Sequence, residues 1–394
     1  MNGIKRAMAG LLLAGALLMM TGCGGQEIES SLFVVSMAVD PAPEGALRVT
    51  VKALSGTQES GAAQPQGSEA TAQGGGEAAA ADQSEPGYVT LSATAPSCLR
   101  ALSLLGATTP RTLSLSQLQE IVLSRTLAQT DAALSILREI HALYRANSAA
   151  IVVVTPDDAG DFIRRQRALL GTRLSQYLRV LFEHSADMDV IPPNAQLSAV
   201  IAAMESGTHD AAAVYAAGSS GSDDLLLRDT AELDRLPGHL PRTSPAQNEY
   251  LGSAVFSGAR MTGTLTGSET ALLCLLTGRA RTRSTVIGGA QYRVNLPTRV
   301  KLGVAPDGTL TAHIRMSLTL VAGQGGESAQ EIAARIEQDA VSLLRKLQAA
   351  GSDAAGYGLL AVRRHMTIGQ WESSGWADAY RSAPVRVTAE VKVL

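Results

Sequence analysis

Hydrophobic and polar positions alternate most regularly toward the C-terminal end of the chain. From Thr309 to Leu320, Leu310, Ala312, Ile314, Met316, Leu318 and Leu320 fall on one side, while Thr309, Thr311, His313, Arg315, Ser317 and Thr319 fall on the other. A period of two over that length predicts a long strand buried on one face. The period then lengthens. Ile332, Ile336, Ala340, Leu343 and Leu347 share one face of a helix predicted over 328–350. Ser328 and Glu331 have the spacing of a capping box at its start, and Gly351 stands where a left-handed C-terminal cap belongs. The last residues alternate again, with Val385, Val387, Ala389, Val391 and Val393 on one side. Strands on each side of a long helix predict an antiparallel sheet covered on one face.

Nearer the start, the runs Leu32–Val39 and Leu47–Leu54 read as a hairpin, and in the second Leu47, Val49, Val51 and Ala53 alternate with Arg48, Thr50 and Lys52. From Gly56 to Gly87 the chain has no Val, Ile, Leu or Phe, five acidic residues and no Lys or Arg. Such a segment buries too little apolar surface to offset its ordering entropy, so a disordered insertion within a domain is predicted. Strand pattern resumes at Tyr88–Ser92. A short helix near Cys98–Leu105, a strand at Leu118–Leu123, a helix over Asp131–Tyr144 and a buried strand at Ala149–Val154 follow. That strand runs into Thr155-Pro156-Asp157-Asp158, which reads as a helix start with Thr155 as the cap and Pro156 in the first position. Further helices are predicted over Arg173–Phe182 and Ala195–Met204. The polar stretch His209–Asn248, interrupted by a strand-like Ala211–Ala216, reads as the connection between domains. The pattern as a whole predicts a multi-domain α+β protein with mixed or antiparallel sheets covered by helices. Its regions are an N-terminal α/β region over 31–208 of one or two subdomains, a linker over 209–248 and a C-terminal α+β domain over 249–394.

The first residues change the picture from a globular protein to an exported one. Lys5 and Arg6 precede an apolar run from Ala7 to Met20, which ends in Met20-Thr21-Gly22-Cys23. A basic start, a short apolar stretch and small residues before a cysteine resemble the bacterial lipobox, so residues 1–22 are predicted to be removed and Cys23 to carry lipid. Two or three acyl chains make membrane release slow, where one would not. Residues 23–30 then form a tether. The remaining stretches are shorter than a membrane-spanning helix needs.

Composition allows a sizeable core: of 394 residues, 45% are hydrophobic and 18% charged. A net charge of -3 and 4% aromatic residues give neither the basic surface nor the stacking platforms of a nucleic-acid binder. Cys98 and Cys274 lie in apolar contexts and read as small buried residues, with a disulfide between them as the alternative. The histidines at 141, 184, 209, 239, 313 and 365 are scattered without metal-ligand spacing. No nucleophile elbow, phosphate loop or dinucleotide-binding unit is present in the sequence. Asp157-Asp158 and Asp223-Asp224 fit a helix start and a solvated loop better than acid–base chemistry. Trp371 and Trp376 read either as packing for the terminal strand or as a partner-binding spot. These patterns predict no enzyme and no cofactor.

Several segments in order along the chain resemble one family. They are the Leu32–Leu54 hairpin soon after the lipobox cysteine, Pro110-Arg111-Thr112-Leu113-Ser114-Leu115-Ser116-Gln117-Leu118, Gly252-Ser253-Ala254-Val255-Phe256-Ser257-Gly258, and Gly356-Tyr357-Gly358 with Trp371, Trp376 and the closing strand. Together they resemble the Ger(x)C family, the lipoprotein C subunits of spore germinant receptors. The chain departs from that pattern at Gly24-Gly25, where Trp and Asp are usual, at Gln117, where His is common, and in the length of the 56–87 insertion. The resemblance implies a non-catalytic subunit on the outer surface of the spore inner membrane. Its partners there would be the A and B subunits of the receptor and the bilayer itself, reached through acylated Cys23, and it would be needed for receptor assembly or signalling. The other reading of the same layout is a lipid-anchored solute-binding protein or cell-envelope enzyme.

Overall fold

The computed structural model describes residues 30–55, 87–143, 146–169, 173–219, 234–240, 248–323, 327–364 and 367–394. The predicted leader 1–22, Cys23 and residues 56–86 of the insertion lie outside the described residues.

The larger sheet is built from β1 (Ser31–Pro41), β2 (Leu47–Leu54), β3 (Tyr88–Ala95), β4 (Thr112–Ser114), β5 (Glu120–Ser124), β6 (Ile151–Thr155), β7 (Ala212–Gly218), β8 (Asn248–Ser257) and β9 (Arg260–Leu265). Its order is β3-β2-β1-β5-β6-β7-β8-β9, with β4 paired to β1. The centre is parallel, as in Met37 beside Ile121, Ile121 beside Val152 and Val153 beside Val214, and antiparallel hairpins form the two edges. Helices cover both faces. On one side α1 (Cys98–Ala107), α3 (Ala132–Leu143) and α6 (Leu197–Ser206) enclose Met37, Val51, Ile121 and Val152, with the short α2 (Arg125–Ala128) between the first two. On the other, α4 (Ala159–Arg165) and α5 (Leu174–Asp187) enclose Ala38, Val122, Val153 and Phe162. A sheet covered twice explains why every residue of β5 is buried.

Three sequence expectations change here. Thr155 does not cap α4. It ends β6, paired with Ser124, because the residue before a proline is held extended. The cap is Asp158, whose Oδ1 accepts the Asp161 N–H at 2.9 Å. Second, the expected 209–248 connection does not separate the sheets. β7 lies within it, and β8 and β9, expected in the C-terminal domain, extend the N-terminal sheet through β7. Third, Lys52 and Thr50, on the polar side of their strand, are 0% exposed, because α4 covers the face to which they point.

The second sheet has the order β10 (Ser284–Ile287), β11 (Ala290–Val304), β12 (Leu310–Ala322) and β13 (Val385–Val393). It is mixed rather than antiparallel. β12 and β13 are parallel, Ile314 beside Ala389, because the chain returns over the long α8 (Ala329–Ala350) before re-entering the sheet. α8 begins with the predicted capping box and ends at Gly351 with φ 65°. Its Leu343, Leu344 and Leu347 pack on Leu310, Ala312 and Ile314. Leu320 remains 41% exposed at the far end of its strand. The same cluster takes in Val255 and Leu265 from β8 and β9, together with Leu273 and Leu276 of α7 (Gly267–Leu276), so the edge of the first sheet is part of the core of the second half.

Candidate functional site

Between the two halves, the turn 207–210 meets the turn 353–358. Asp210 sits just before β7. Its Oδ1 accepts the Gly258 N–H at 2.7 Å and its Oδ2 the Asp353 N–H at 2.7 Å, while its own N–H donates to the Asp353 carbonyl at 3.2 Å. The Asp353 carboxylate accepts N–H groups from Gly356 at 3.0 Å, Tyr357 at 2.9 Å and Gly358 at 2.6 Å. These are the first amides of α9 (Tyr357–Ala361), where unpaired N–H groups await an acceptor. Burial pushes the Asp353 carboxyl up to about 7, the nearby Asp210 adds to the rise, and the amides of Gly358 and Tyr357 oppose it. Asp210 is raised as well, chiefly by burial.

The Gly356-Tyr357-Gly358 motif is therefore a docking element. A Cβ on Gly358 would lie 2.1 Å from the Thr208 carbonyl oxygen, which leaves no side chain that fits. Tyr357 is 0% exposed, and its hydroxyl donates to the Thr311 carbonyl at 3.3 Å. Trp371 of α10 (Ile368–Glu372) is nearly buried and donates from Nε1 to the Gly207 carbonyl at 3.3 Å. Trp376 of α11 (Trp376–Ser382) lies with its ring 5.8 Å from that of Trp371 and 6.0 Å from Tyr380. Both tryptophans thus close the joint between the halves.

A second clasp is centred on Asp189. Asp189, held at φ 57°, accepts the Arg281 N–H at 2.9 Å and the Thr282 N–H at 2.8 Å, tying the end of α5 to the strand leading into β10. Burial raises its carboxyl.

The third polar centre, inside the first sheet, was not legible in the sequence. Glu120 is fully buried on β5. Gln166 Nε2 donates to its Oε1, Tyr250 donates to its Oε2 at 3.1 Å, and the Ser36 hydroxyl lies 2.9 Å from both Glu120 Oε1 and Gln166 Oε1. The buried Lys52 ammonium donates to the carbonyls of Gln166 and Ile163 at the C-terminal end of α4, where the helix dipole favours a cation. Burial raises the Glu120 carboxyl, partly offset by those three hydrogen bonds and by the charge of Lys52. A glutamate opening the apolar run Ile121-Val122-Leu123 is the one signal of it in the sequence. The group is enclosed and ties the end of α4 to strands β1, β5 and β8.

Cys98 and Cys274 are free and buried, with no disulfide between them, and burial pushes the Cys98 thiol up to about 12. His313 is exposed beside Thr388 at 2.6 Å, and among the described residues no group of side chains could hold a metal ion. Arg111, from the Pro110–Leu118 segment, donates to the Ser55 carbonyl at 2.9 Å, beside an open depression lined by Leu102, Gly106 and Pro110. Among the described residues no helix is long and apolar enough to cross a membrane.

Fold and joint together define a two-sheet α+β protein whose buried carboxyls are held by its own amides and side chains. The chain belongs to the spore germination GerAC family. The family's "spore germination protein N-terminal domain" matches residues 24–217, and its "spore germination B3/GerAC like, C-terminal" domain matches residues 251–394. A solved crystal structure, that of the GerBC protein, aligns with 91% of this chain and 96% of its own at 13% identity and a TM-score of 0.46. A search of curated proteins found no match.

Proposed function

We propose that this chain is the lipid-anchored, non-catalytic C subunit of a nutrient germinant receptor, held by acylated Cys23 on the outer surface of the spore inner membrane beside the receptor's A and B subunits. The observation that carries this reading is the match of the two family domains to both halves of the chain. The use of the buried carboxylates supports it. Asp210, Asp353 and Asp189 are satisfied by backbone amides that lock the halves together, whereas a solute-binding protein aims polar groups into a cleft between its domains. Confinement to a membrane raises the effective concentration of such a scaffold beside membrane-embedded partners.

The test is deletion and rescue in the source organism. Spores lacking the gene are expected to lose the response to at least one nutrient germinant, with wild-type chain restoring it and Cys23→Ala failing to do so. Affinity recovery from spore membranes is expected to bring down an A or B subunit. Normal germination of the deletion strain with every nutrient, with no sibling gene compensating, overturns the receptor reading. Full rescue by a soluble Cys23→Ala chain overturns the anchor alone.

A further inference from the structure

The outer face of the second sheet is open and cationic. α8 covers the face carrying Leu310, Ala312 and Ile314, and the alternate residues point away from it. Arg293, Arg299 and Lys301 on β11, Arg315 on β12, and Arg386 and Lys392 on β13 are all exposed there. Glu390 is the single acid on the described strands of that face, and it is already engaged by Arg315 at 2.7 Å. Asp307 lies at the end of the face, in the β11–β12 turn, where it accepts the Thr309 N–H at 3.0 Å and interacts with the charge of Arg386. The chain as a whole carries a net charge of -3, so this concentration of positive charge runs against the composition.

The register concentrates the charge. Arg299 stands directly opposite Arg315, so the single acid Glu390 faces two guanidinium groups, and Lys301 beside His313 has no acid opposite it. Like charges facing each other across an antiparallel pair destabilise a sheet. The cations are spread over three strands, β11, β12 and β13. At the end nearest the β10–β11 turn, Val286 and Val321 are 66% and 52% exposed. Spread cations bordered by exposed apolar side chains match the interface of an anionic bilayer, where phosphates meet the cations and the apolar groups reach the headgroup boundary.

We propose that this face rests on the membrane and binds anionic phospholipid headgroups, so that the folded body lies against the bilayer. The choice of a bilayer over an acidic protein rests on the membrane-surface reading above, while the binding itself needs no acylated cysteine.

The experiment uses the chain from Gly24 to Leu394, unacylated, with vesicles of roughly one-third phosphatidylglycerol in phosphatidylcholine, compared with phosphatidylcholine alone. Binding is expected to the anionic vesicles only, and to weaken as salt rises from about 0.1 M to about 0.5 M. The variant Arg299→Gln, Lys301→Gln, Arg386→Gln is expected to bind roughly 100-fold more weakly, at about five-fold per residue. Neutralising Arg100, Arg138 and Arg179, which are exposed in the first half, is expected to leave binding within about two-fold, since cations off the contact surface contribute little beyond a Debye length. Glu390→Gln removes the acid and frees Arg315, so it is expected to bind about five-fold more tightly, a gain that misfolding does not produce. Equal losses in both triple variants, or no preference for anionic vesicles, overturn the proposal. So does a wild-type chain that ignores vesicles while the face variant loses receptor assembly, which would give the face to an acidic protein partner. Because acylation is absent throughout, vesicle binding is scored independently of the fate of Cys23.

Discussion

Asp210 and Asp353 hold each other through the main chain: the Asp353 N–H donates to Asp210 Oδ2 at 2.7 Å, and the Asp210 N–H donates to the Asp353 carbonyl at 3.2 Å. Each carboxylate then satisfies further amides, Gly258 for Asp210 and Gly356 to Gly358 for Asp353. The two residues are 143 positions apart, so one pair closes a long loop and sets how the two halves meet.

Asp210→Ala strips acceptors from the Gly258 and Asp353 amides. Two unsatisfied donors at a partly buried site are expected to cost about 2–4 kcal/mol in urea unfolding. Faster proteolytic cleavage around 207–210 is the accompanying sign of an opened joint. Unchanged stability would mean that water replaces the carboxylate without loss.

Asp353 makes stability depend on pH. Its carboxyl is near 7 in the folded chain against an ordinary 3.8, so between those values the folded state holds a proton that the unfolded state has released. Its contribution is therefore complete below about pH 4 and lost as pH rises through 7, with a slope of about 1.4 kcal/mol per pH unit in that window. Glu120, Asp189 and Asp210 are shifted in the same direction, so the informative quantity is a difference. The stability of wild type relative to Asp353→Asn is expected to fall from pH 4 to pH 7 and to stay level above. A gap independent of pH would refute the assignment.

Gly358→Ala sets a Cβ 2.1 Å from the Thr208 carbonyl oxygen and 2.7 Å from the Trp376 indole nitrogen, and the Thr208 backbone cannot swing aside as the end of a flexible side chain could. A loss of at least about 3 kcal/mol is expected. Gly369→Ala serves as the comparison. Its Cβ meets nothing within 4 Å, and it lies within the short α10, so alanine there is expected to be neutral or to stabilise by up to about 1 kcal/mol.

Glu120 and Lys52 are expected to be coupled. Glu120→Gln changes a buried carboxyl that accepts from Gln166 and Tyr250, lies against the Ser36 hydroxyl and sits within the field of a fully buried ammonium, and it is expected to cost about 2 kcal/mol. Combined with Lys52→Met, the total is expected to fall short of the sum of the single changes by about 1 kcal/mol or more in a double-mutant cycle. Strict additivity would show that the Lys52 bonds to α4 carbonyls suffice without Glu120.

Local pattern carried far in this chain because several elements are specified within their own residues. The capping box of Ser328 and Glu331, the apolar stripe of α8 and the two-residue period of β12 each need only neighbours a few positions away. The Gly356-Tyr357-Gly358 and Trp371 positions were visible as part of a family pattern, but their roles were not, because Thr208 and Gly207, which they meet, lie about 150 residues earlier.

The sequence by itself determined the element periods, the caps of the long helix, the predicted lipid site at Cys23 and the family resemblance, since each depends on short-range spacing or on residue type in order. Tertiary structure decided the rest. It buried Lys52 and Glu120 by laying α4 over a face that alternation alone marks as polar. It turned β13 parallel to β12 by a crossover, carried β8 and β9 into the first sheet, and left the cationic face of the second uncovered. In each case the deciding quantity is which distant surface lies opposite a side chain, and spacing along one chain does not contain it.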